Sequence, residues 1–261
     1  MNDLKYWVWL SKIRNLGSIR KQKLLEKFNN PIGIWNAKKE DLLKVEGIGE
    51  KAAEEILNNK YRIDLDKDIK RMKEENIELI SIYDKDYPEN LKQIYDKPIS
   101  IYVKGNKKIL NEFSLAIIGC RENSNYGKEV AIAVAKGLAK NNIITVSGLA
   151  RGIDSIAHKE TLKQNGKTIA VIGSGLDIIY PSENVNLVKE IIKNDGVIIS
   201  EYPLGTKPLK MHFPARNRII SAISSGVVVI EAKKKIGTMT TVDFALEQGK
   251  NVFSIPRKYN K

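Results

Sequence analysis

The 261-residue sequence is long enough for one large domain and one small domain, and its 42% hydrophobic content is that of a globular protein rather than a disordered one. A formal net charge of +13 favours a polyanionic partner, although a generally lysine-rich surface would give the same count. The single cysteine excludes an internal disulfide, and only two histidines accompany it, so the sequence lacks the ligands of a zinc site.

The charge and the hydropathy also bear on location. Residues 106–261 hold 23 basic and 13 acidic residues, so this portion carries most of the positive excess. The start of the chain, MNDLKYWVWLSK, contains an acidic residue and too short an apolar core for a signal peptide, and no apolar run approaches the roughly 18 residues of a membrane span. We therefore expect a cytoplasmic protein in a reducing compartment, with no membrane insertion, no metal and no cofactor.

Residues 1–60 are predicted to form a small all-helical domain, because apolar residues recur at helical spacing around Trp7 and around Leu24. The segment VEGIGEKAAEEIL, residues 45–57, has the pattern of a helix-hairpin-helix, and residues 13–28 look like a degraded copy of it. This arrangement resembles tandem hairpin, SAM-like modules. Such modules contact DNA phosphates, contact proteins or serve only in packing, and the sequence leaves all three roles open.

Residues 61–105 are predicted to be a connector and an extended lead-in. The segment is charge-rich and helical up to Asn76, and it continues into the strand-like ELISIYD. Prolines in YPENLKQIYDKPISIYVKGN exclude a continuous helix there, and ISIYVKG is predicted to be a strand that ends at Gly105. We expect this part to dock on the following domain.

Residues 106–261 show the alternating pattern of an α/β domain. Nearly continuous Val and Ile runs indicate strands that are buried on both faces, and hence a doubly wound, mainly parallel, Rossmann-like sheet. The predicted strands are LAIIG, IITV, TIAVIG, GVIIS, GVVVIEA and NVFSI. The predicted helices span residues 127–140, 154–164, 184–193, 217–224 and 240–248. Ligands of such sheets lie at the carboxyl ends of the strands, so function is expected in the turns that follow them.

The turn after the second of these strands, SGLARGIDSIAH, carries the clearest signal. Gly148 and Gly152 flank Arg151 just before a helix, so backbone N–H groups, the positive end of the helix and a cation converge on a spot that suits an anion. Asp154 and His158 lie four residues apart on this helix, a spacing more typical of orientation or packing than of proton transfer. Taken alone, the turn also fits glycines that only permit close packing.

The other turns add cations without catalytic groups. GCRENSNYG lacks the glycine spacing of a dinucleotide site and places Arg121 where an anion would bind. GSGLD lacks the full nucleophile elbow. The segment PLGTKPLKMHFPARNRIISAIS presents Lys207, Lys210 and two arginines around Phe213, ahead of a predicted helix, while KKKIGTMTT adds three lysines. Phe213 as a core residue among solvated cations is the alternative interpretation.

Together these turns predict a cleft for single-stranded nucleic acid, with cations for the backbone and an aromatic ring for a base. A duplex fits less well, since no recognition helix is apparent. The residues predicted to contact nucleic acid are Gly119, Arg121, Ser147, Gly148, Arg151, Gly152, Lys210, Phe213, Arg216, Asn217 and Arg218. No catalytic residue is predicted.

Four strings, SGLARGIDSIAH, FPARNRIISAIS, YPENLKQIYDKPISIYVKGN and ALEQGKNVFSIP, resemble the DprA/Smf family of DNA-processing proteins. The resemblance implies a protein that binds incoming single-stranded DNA during natural transformation, protects it from nucleases and helps load the RecA recombinase. It implies a homodimer formed through the Rossmann-like domain. It also implies strand-binding roles for Arg121, Arg151, Lys210 and Phe213, and no catalytic residue or cofactor.

The sequence departs from the family pattern at a few positions. Cys120 replaces a small hydroxyl residue, and Glu122 replaces a frequent second cation, which is expected to weaken phosphate contact there. The family's Val-Pro-Gly is Ile255, Pro256 and Arg257 here. Because the sequence ends at residue 261, we expect no winged-helix domain of the kind that many relatives carry.

Two other functions are considered. A related Rossmann-like family, the phosphoribohydrolases, hydrolyses nucleoside monophosphates with a P-G-G-x-G-T-x-x-E signature, but the comparable GTMTTV segment lacks both the glycine run and the glutamate. A protein-only scaffold predicts no DNA affinity.

Overall fold

A computed structural model describes residues 3–13, 15–61, 64–232 and 237–256. Its centre is one eight-stranded sheet with the order β1-β2-β6-β5-β4-β3-β7-β8. The strands are β1 (Glu78–Ser81), β2 (Ser100–Gly105), β3 (Ser114–Gly119), β4 (Ile144–Ser147), β5 (Thr168–Val171), β6 (Val197–Ser200), β7 (Gly226–Glu231) and β8 (Asn251–Ser254). The pairs from β6 through to β8 are all parallel, which confirms the predicted α/β, Rossmann-like architecture.

The helical unit before the sheet consists of short helices around an apolar core. They are α1 (Leu4–Lys12), α2 (Ser18–Phe28), α3 (Pro31–Asn36), α4 (Lys39–Leu43) and α5 (Glu50–Asn59). Trp9, Leu24 and Ile34 are fully buried in this core. Gly47, in the predicted hairpin between α4 and α5, has a φ of +81°, a conformation that glycine adopts without steric cost.

The connector contributes directly to the sheet. After α6 (Leu65–Glu74), β1 pairs with β2 and β2 pairs with β6, both in antiparallel register. The short helix α7 (Glu89–Lys92) lies between these two strands in the chain. Residues 61–105 therefore hold two antiparallel strands that continue the parallel sheet, which goes beyond the docked lead-in expected from sequence.

Helices cover both faces of the parallel strands, as their apolar pattern requires. They are α8 (Asn125–Lys140), α9 (Ile153–Lys163), α10 (Val185–Lys193), α11 (His212–Ile223) and α12 (Gly237–Glu247). Within β3, Ala116 and Ile118 pack in the cluster that includes α11, whereas Ile117 packs with α8 and α9. This alternation follows from the two-residue period of a strand. In the described part of the chain no helix is long and apolar enough to cross a bilayer.

Helix α11 begins at His212, five residues before the predicted start, so Phe213 and Pro214 lie inside its first turn. A proline is tolerated there because the first N–H groups of a helix have no partner within it. The prediction that Phe213 precedes the helix was therefore wrong. Phe213 is instead carried on the end of α11 that faces the carboxyl edge of the sheet.

Candidate nucleic-acid interface

A cleft lies at the carboxyl ends of β3, β4 and β5, next to the first turn of α11. Its lining comes from the loops after these three strands and from that first turn. The lining residues are Arg121, Gly148, Ala150, Arg151, Tyr180, Pro181 and Phe213. The position agrees with the rule that ligands of doubly wound sheets bind outside the carboxyl ends of the strands.

The turn after β4, residues 147–152, is called the arginine turn here, and its glycines allow two close approaches, one to the backbone after β3 and one to side chains packed against the turn. Gly152 has a φ of +74°, and a Cβ there would lie 2.5 Å from the carbonyl oxygen of Arg121. A Cβ on Gly148 would lie 2.7 Å from a carboxylate oxygen of Asp154. Since these distances are shorter than van der Waals contact, neither position accepts a larger residue without a shift. These glycines therefore permit close packing, as the alternative interpretation holds, and Gly148 lines the cleft as well.

Arg121 and Phe213 form the centre of the cleft. The guanidinium carbon of Arg121 lies 5.4 Å from the centroid of the Phe213 ring, within the range of a cation–π contact. Arg121 is exposed and has no ion-pair partner among the described residues. The pair therefore offers a free positive charge beside a partly exposed aromatic face.

Arg151 is exposed, but its guanidinium already forms an ion pair with Glu183. Its Nε donates to both carboxylate oxygens of Glu183 at 3.1 Å, and its Nη2 donates to one of them at 3.0 Å. The hydrogen bond to Glu183 and the charge of that carboxylate raise the pKa of Arg151. An incoming phosphate would have to compete with Glu183 for this guanidinium.

The prediction that Arg216 lines the cleft was wrong. Its side chain is buried, with only 3% of the residue exposed, and it donates to the backbone carbonyl of Gly148 at 2.6 Å and to that of Val171. Burial lowers its pKa to about 10, while the charge of Asp154 acts in the opposite direction. Burial likewise raises the pKa of Asp154, whose carboxylate accepts from the backbone N–H of Ala150 at 3.3 Å. The hydrogen bonds of Arg216 thus join the arginine turn to the end of β5.

Arg218 and Asn217 also point away from the cleft, contrary to prediction. Arg218 is 5% exposed and pairs with Asp96 and with Glu201, each at 2.8 Å. Asn217 donates from Nδ2 to the carbonyl oxygen of Gly237 at 3.0 Å. Both side chains hold α11 to neighbouring segments. The basic string ARNR therefore belongs mainly to the interior.

The remaining predicted residues take different positions. Lys210 is exposed on the loop before α11, but it is not part of the cleft lining. Ser147 is buried and donates to the carbonyl oxygen of Ile117 at 2.7 Å. Gly119 lies against Ile153, to which a Cβ would come within 2.5 Å. Lys207 is exposed before α11, and the three predicted lysines at 233–235 lie outside the described residues.

Tyr180 and Pro181, which line one side of the cleft, were not predicted from the sequence. These residues follow β5, in the loop whose GSGLD string was too weak to assign a function. The available signal was an aromatic residue and a proline after a buried strand, on the same sheet edge as the turns that carry Arg121 and Arg151. Ala150 was also missed.

A family model described as DNA recombination-mediator protein A matches residues 78–261. The DNA processing protein DprA of Streptococcus pneumoniae is 47% identical over 176 residues, which are 67% of this chain and 62% of that relative. The X-ray structure of DNA processing protein A from the same species superposes with a TM-score of 0.84 at 37% identity, over 97% of this chain and 87% of that one.

A further solved structure is DNA processing protein A from Helicobacter pylori, whose description concerns its single-stranded DNA binding mode. It superposes with a TM-score of 0.64 at 34% identity, and the match covers 71% of this chain and 83% of that one. The present chain spans 62% of the length of the curated pneumococcal relative.

Proposed function

This chain belongs to the DNA recombination-mediator protein A family, also called DprA or Smf, and from that premise we propose that it binds single-stranded DNA in the cleft at the carboxyl edge of its sheet. The contact between Arg121 and Phe213 is the observation that carries the proposal. A guanidinium neutralises a backbone phosphate, and an adjacent ring stacks a base, which is the combination that holds single strands without reading their sequence.

The surroundings of this pair support binding rather than chemistry. The seven lining residues contain two arginines and two aromatic residues, and none of these seven is a carboxylate or a serine, cysteine or histidine nucleophile. We propose that the protein binds DNA without cleaving it. The same lining also predicts that the protein does not hydrolyse a nucleoside monophosphate. Incubation with adenosine monophosphate should therefore release no adenine, and release of adenine would favour the phosphoribohydrolase alternative.

The wider role that we propose rests on the family. In this role the protein protects incoming single-stranded DNA during natural transformation and helps load RecA, acting as a cytoplasmic homodimer. The H. pylori relative described with a single-stranded DNA binding mode supports the choice of ligand. The net charge of +13 favours the same polyanion.

The main test is a fluorescence anisotropy titration of a labelled oligothymidine with substituted proteins. Arg121→Ala and Lys210→Ala should each weaken binding at low salt, and each should reduce the steepness of the log–log salt dependence by about 0.7 for every phosphate that the variant no longer neutralises. Arg151→Ala should weaken binding less, because Glu183 already holds that guanidinium. Lys140→Ala is the matched control, since Lys140 is exposed at the far end of α8.

Phe213→Ala separates stacking from charge. Removal of the ring should weaken binding by roughly 1 to 3 kcal/mol and leave the salt slope unchanged, because stacking releases no counterions. A parent protein that does not bind the oligonucleotide would refute the proposed function. If the Arg121, Lys210 and Phe213 variants all bind with the affinity of the parent, the binding site lies elsewhere on the protein.

A further inference from the structure

A second aromatic residue borders the cleft on the loop that follows β5. The ring of Tyr180 lies 5.6 Å from that of Phe213, centroid to centroid, with 47° between the ring planes. Tyr180 is 44% exposed, and its hydroxyl has no hydrogen-bond partner among the described residues. Its ring is therefore a large apolar surface that the fold leaves open to the cleft.

The loop that carries Tyr180 is fastened on both sides. Before it, the hydroxyl of Ser174 donates to the carbonyl oxygen of Ile178 at 2.6 Å. After it, the buried amide of Asn184 donates to the carbonyl oxygen of Leu149 at 2.9 Å and to the hydroxyl of Ser155 at 2.8 Å. Asn184 thereby ties the Tyr180 loop to the arginine turn. An exposed ring on an anchored loop loses little conformational entropy when it contacts a ligand.

The ring geometry limits where a base can lie. A separation of 5.6 Å is that of two rings in direct contact, so no base fits between Tyr180 and Phe213 as they stand. Arg121 already lies over the Phe213 ring, whereas no cation of the described residues lies over Tyr180. The two rings thus present adjoining surfaces, one of them shared with a guanidinium and the other free.

We propose that Tyr180 is a second base-contacting residue, so that the cleft holds two neighbouring bases of a single strand, one on Phe213 and the next on Tyr180. This inference rests on the proposed function, because it assigns a further contact within the same site. A tyrosine side chain brings no positive charge, so Tyr180 contributes to the base contact only. The proposed phosphate contacts are those of Arg121 and Arg151 in the cleft and of the exposed Lys210 on the loop that leads into α11.

The test uses two probes of equal length, an intact oligothymidine and a strand in which every position is abasic. Tyr180→Ala and Tyr180→Leu should each weaken binding of the intact probe by about fivefold or more, with an unchanged salt slope. Leucine keeps apolar contact with Phe213 but cannot stack a base. Tyr180→Phe should bind like the parent. On the abasic probe, the parent and all three variants should bind equally.

The control is Tyr61→Ala, since Tyr61 is 89% exposed at the end of the helical unit. Intact-probe binding that is unchanged in Tyr180→Ala, while Phe213→Ala is impaired, overturns the inference and leaves the proposed function in place. An equal loss on both probes also overturns it, because Tyr180 would then only shape the cleft. A parent protein that binds neither probe overturns the proposed function together with the inference.

Discussion

In the proposed complex with DNA, Glu183 limits how much of the charge of Arg151 is available to a phosphate. The pair is exposed on both sides, with side-chain exposures of 58% for Arg151 and 56% for Glu183, so its stabilising effect on the protein is small. Glu183→Gln should therefore free the guanidinium and raise affinity for single-stranded DNA by roughly 1.5-fold to fivefold at low salt. Oligothymidine titrations of the parent and the variant would measure the gain.

Glu190→Gln provides the control for this change, because it removes the same charge from the exposed surface of α10. It should alter affinity less than Glu183→Gln does. If Glu183→Gln instead weakened binding, Glu183 would be orienting Arg151 toward the phosphate rather than competing with it.

His158 links stability to pH although it lies outside the cleft. It is fully buried, and its Nδ1 lies 2.7 Å from the hydroxyl of Thr168, which itself donates to the carbonyl oxygen of Thr145. Nδ1 must therefore carry a proton, and because Nε2 is buried without a hydrogen-bond partner among the described residues, a second proton there is disfavoured and the ring is neutral. Burial, aided by the charge of Arg216, lowers the pKa of His158 to about 3.

This depressed pKa has a definite sign in the unfolding free energy. Between pH 6.5 and about 3 the unfolded chain binds a proton at His158 that the folded chain does not, so stability falls as the pH falls. The loss approaches about 1.4 kcal/mol per pH unit. His158→Asn keeps a donor for Thr168 but has no titrating group. Urea unfolding from pH 7 to pH 4 should show a shallower loss for the variant, and parallel curves would contradict this account.

At the scale of an element, most of α11 is buried and structural, whereas its first turn lines the candidate cleft. Its first turn presents Phe213 to the cleft, while Arg218 joins the helix to Asp96 of the connector and to Glu201 after β6. Only the guanidinium of this cluster is buried, because the side chains of Asp96 and Glu201 are 36% and 22% exposed, so solvent partly compensates the carboxylates when Arg218 is removed. Arg218→Met should therefore lower the unfolding free energy by roughly 1.5 to 3 kcal/mol, the range for hydrogen bonds to charged groups, with the salt slope of DNA binding unchanged.

Arg121→Met is the matched comparison, because Arg121 is exposed and has no ion-pair partner in the described ranges. It should reduce the salt slope and change the urea midpoint little. A reduced salt slope of DNA binding in Arg218→Met would instead indicate that Arg218 contacts DNA, as its sequence motif predicted.

These elements also show what the sequence could predict. The strand runs and the turns after them were sufficient to predict the Rossmann-like sheet and the positions of Arg121, Arg151 and Phe213 at one edge. The burial of Arg216 and Arg218 was not predictable, because their partners, such as Val171, Asp96 and Glu201, are remote in sequence. The local sequence of a basic segment is the same whether its arginines are exposed to solvent or buried against carbonyl and carboxylate oxygens. The sequence does show a tyrosine and a proline after β5, but the exposure of the Tyr180 ring toward the cleft is a property of the folded loop.

At the scale of the whole molecule, the helical unit and the sheet share apolar contacts and hydrogen bonds. Val8 of α1 is buried in the same cluster as Tyr102 of β2 and Ile198 of β6. The hydroxyls of Ser11 and Tyr102 lie 2.7 Å apart, and the hydroxyl of Ser18 donates to the carbonyl oxygen of Asp96 at 3.0 Å. Contacts of this kind make independent unfolding of either part costly.

The positions of the tryptophans allow this coupling to be measured. All three, Trp7, Trp9 and Trp35, belong to the helical unit, so their fluorescence reports on that unit, whereas far-ultraviolet circular dichroism reports on the whole chain. The two probes should give coincident urea transitions. Val8→Ala, which removes buried methyl groups from the shared cluster, should lower both midpoints together, by about 2 kcal/mol in unfolding free energy. A fluorescence transition that precedes the dichroism transition would show that the helical unit unfolds on its own.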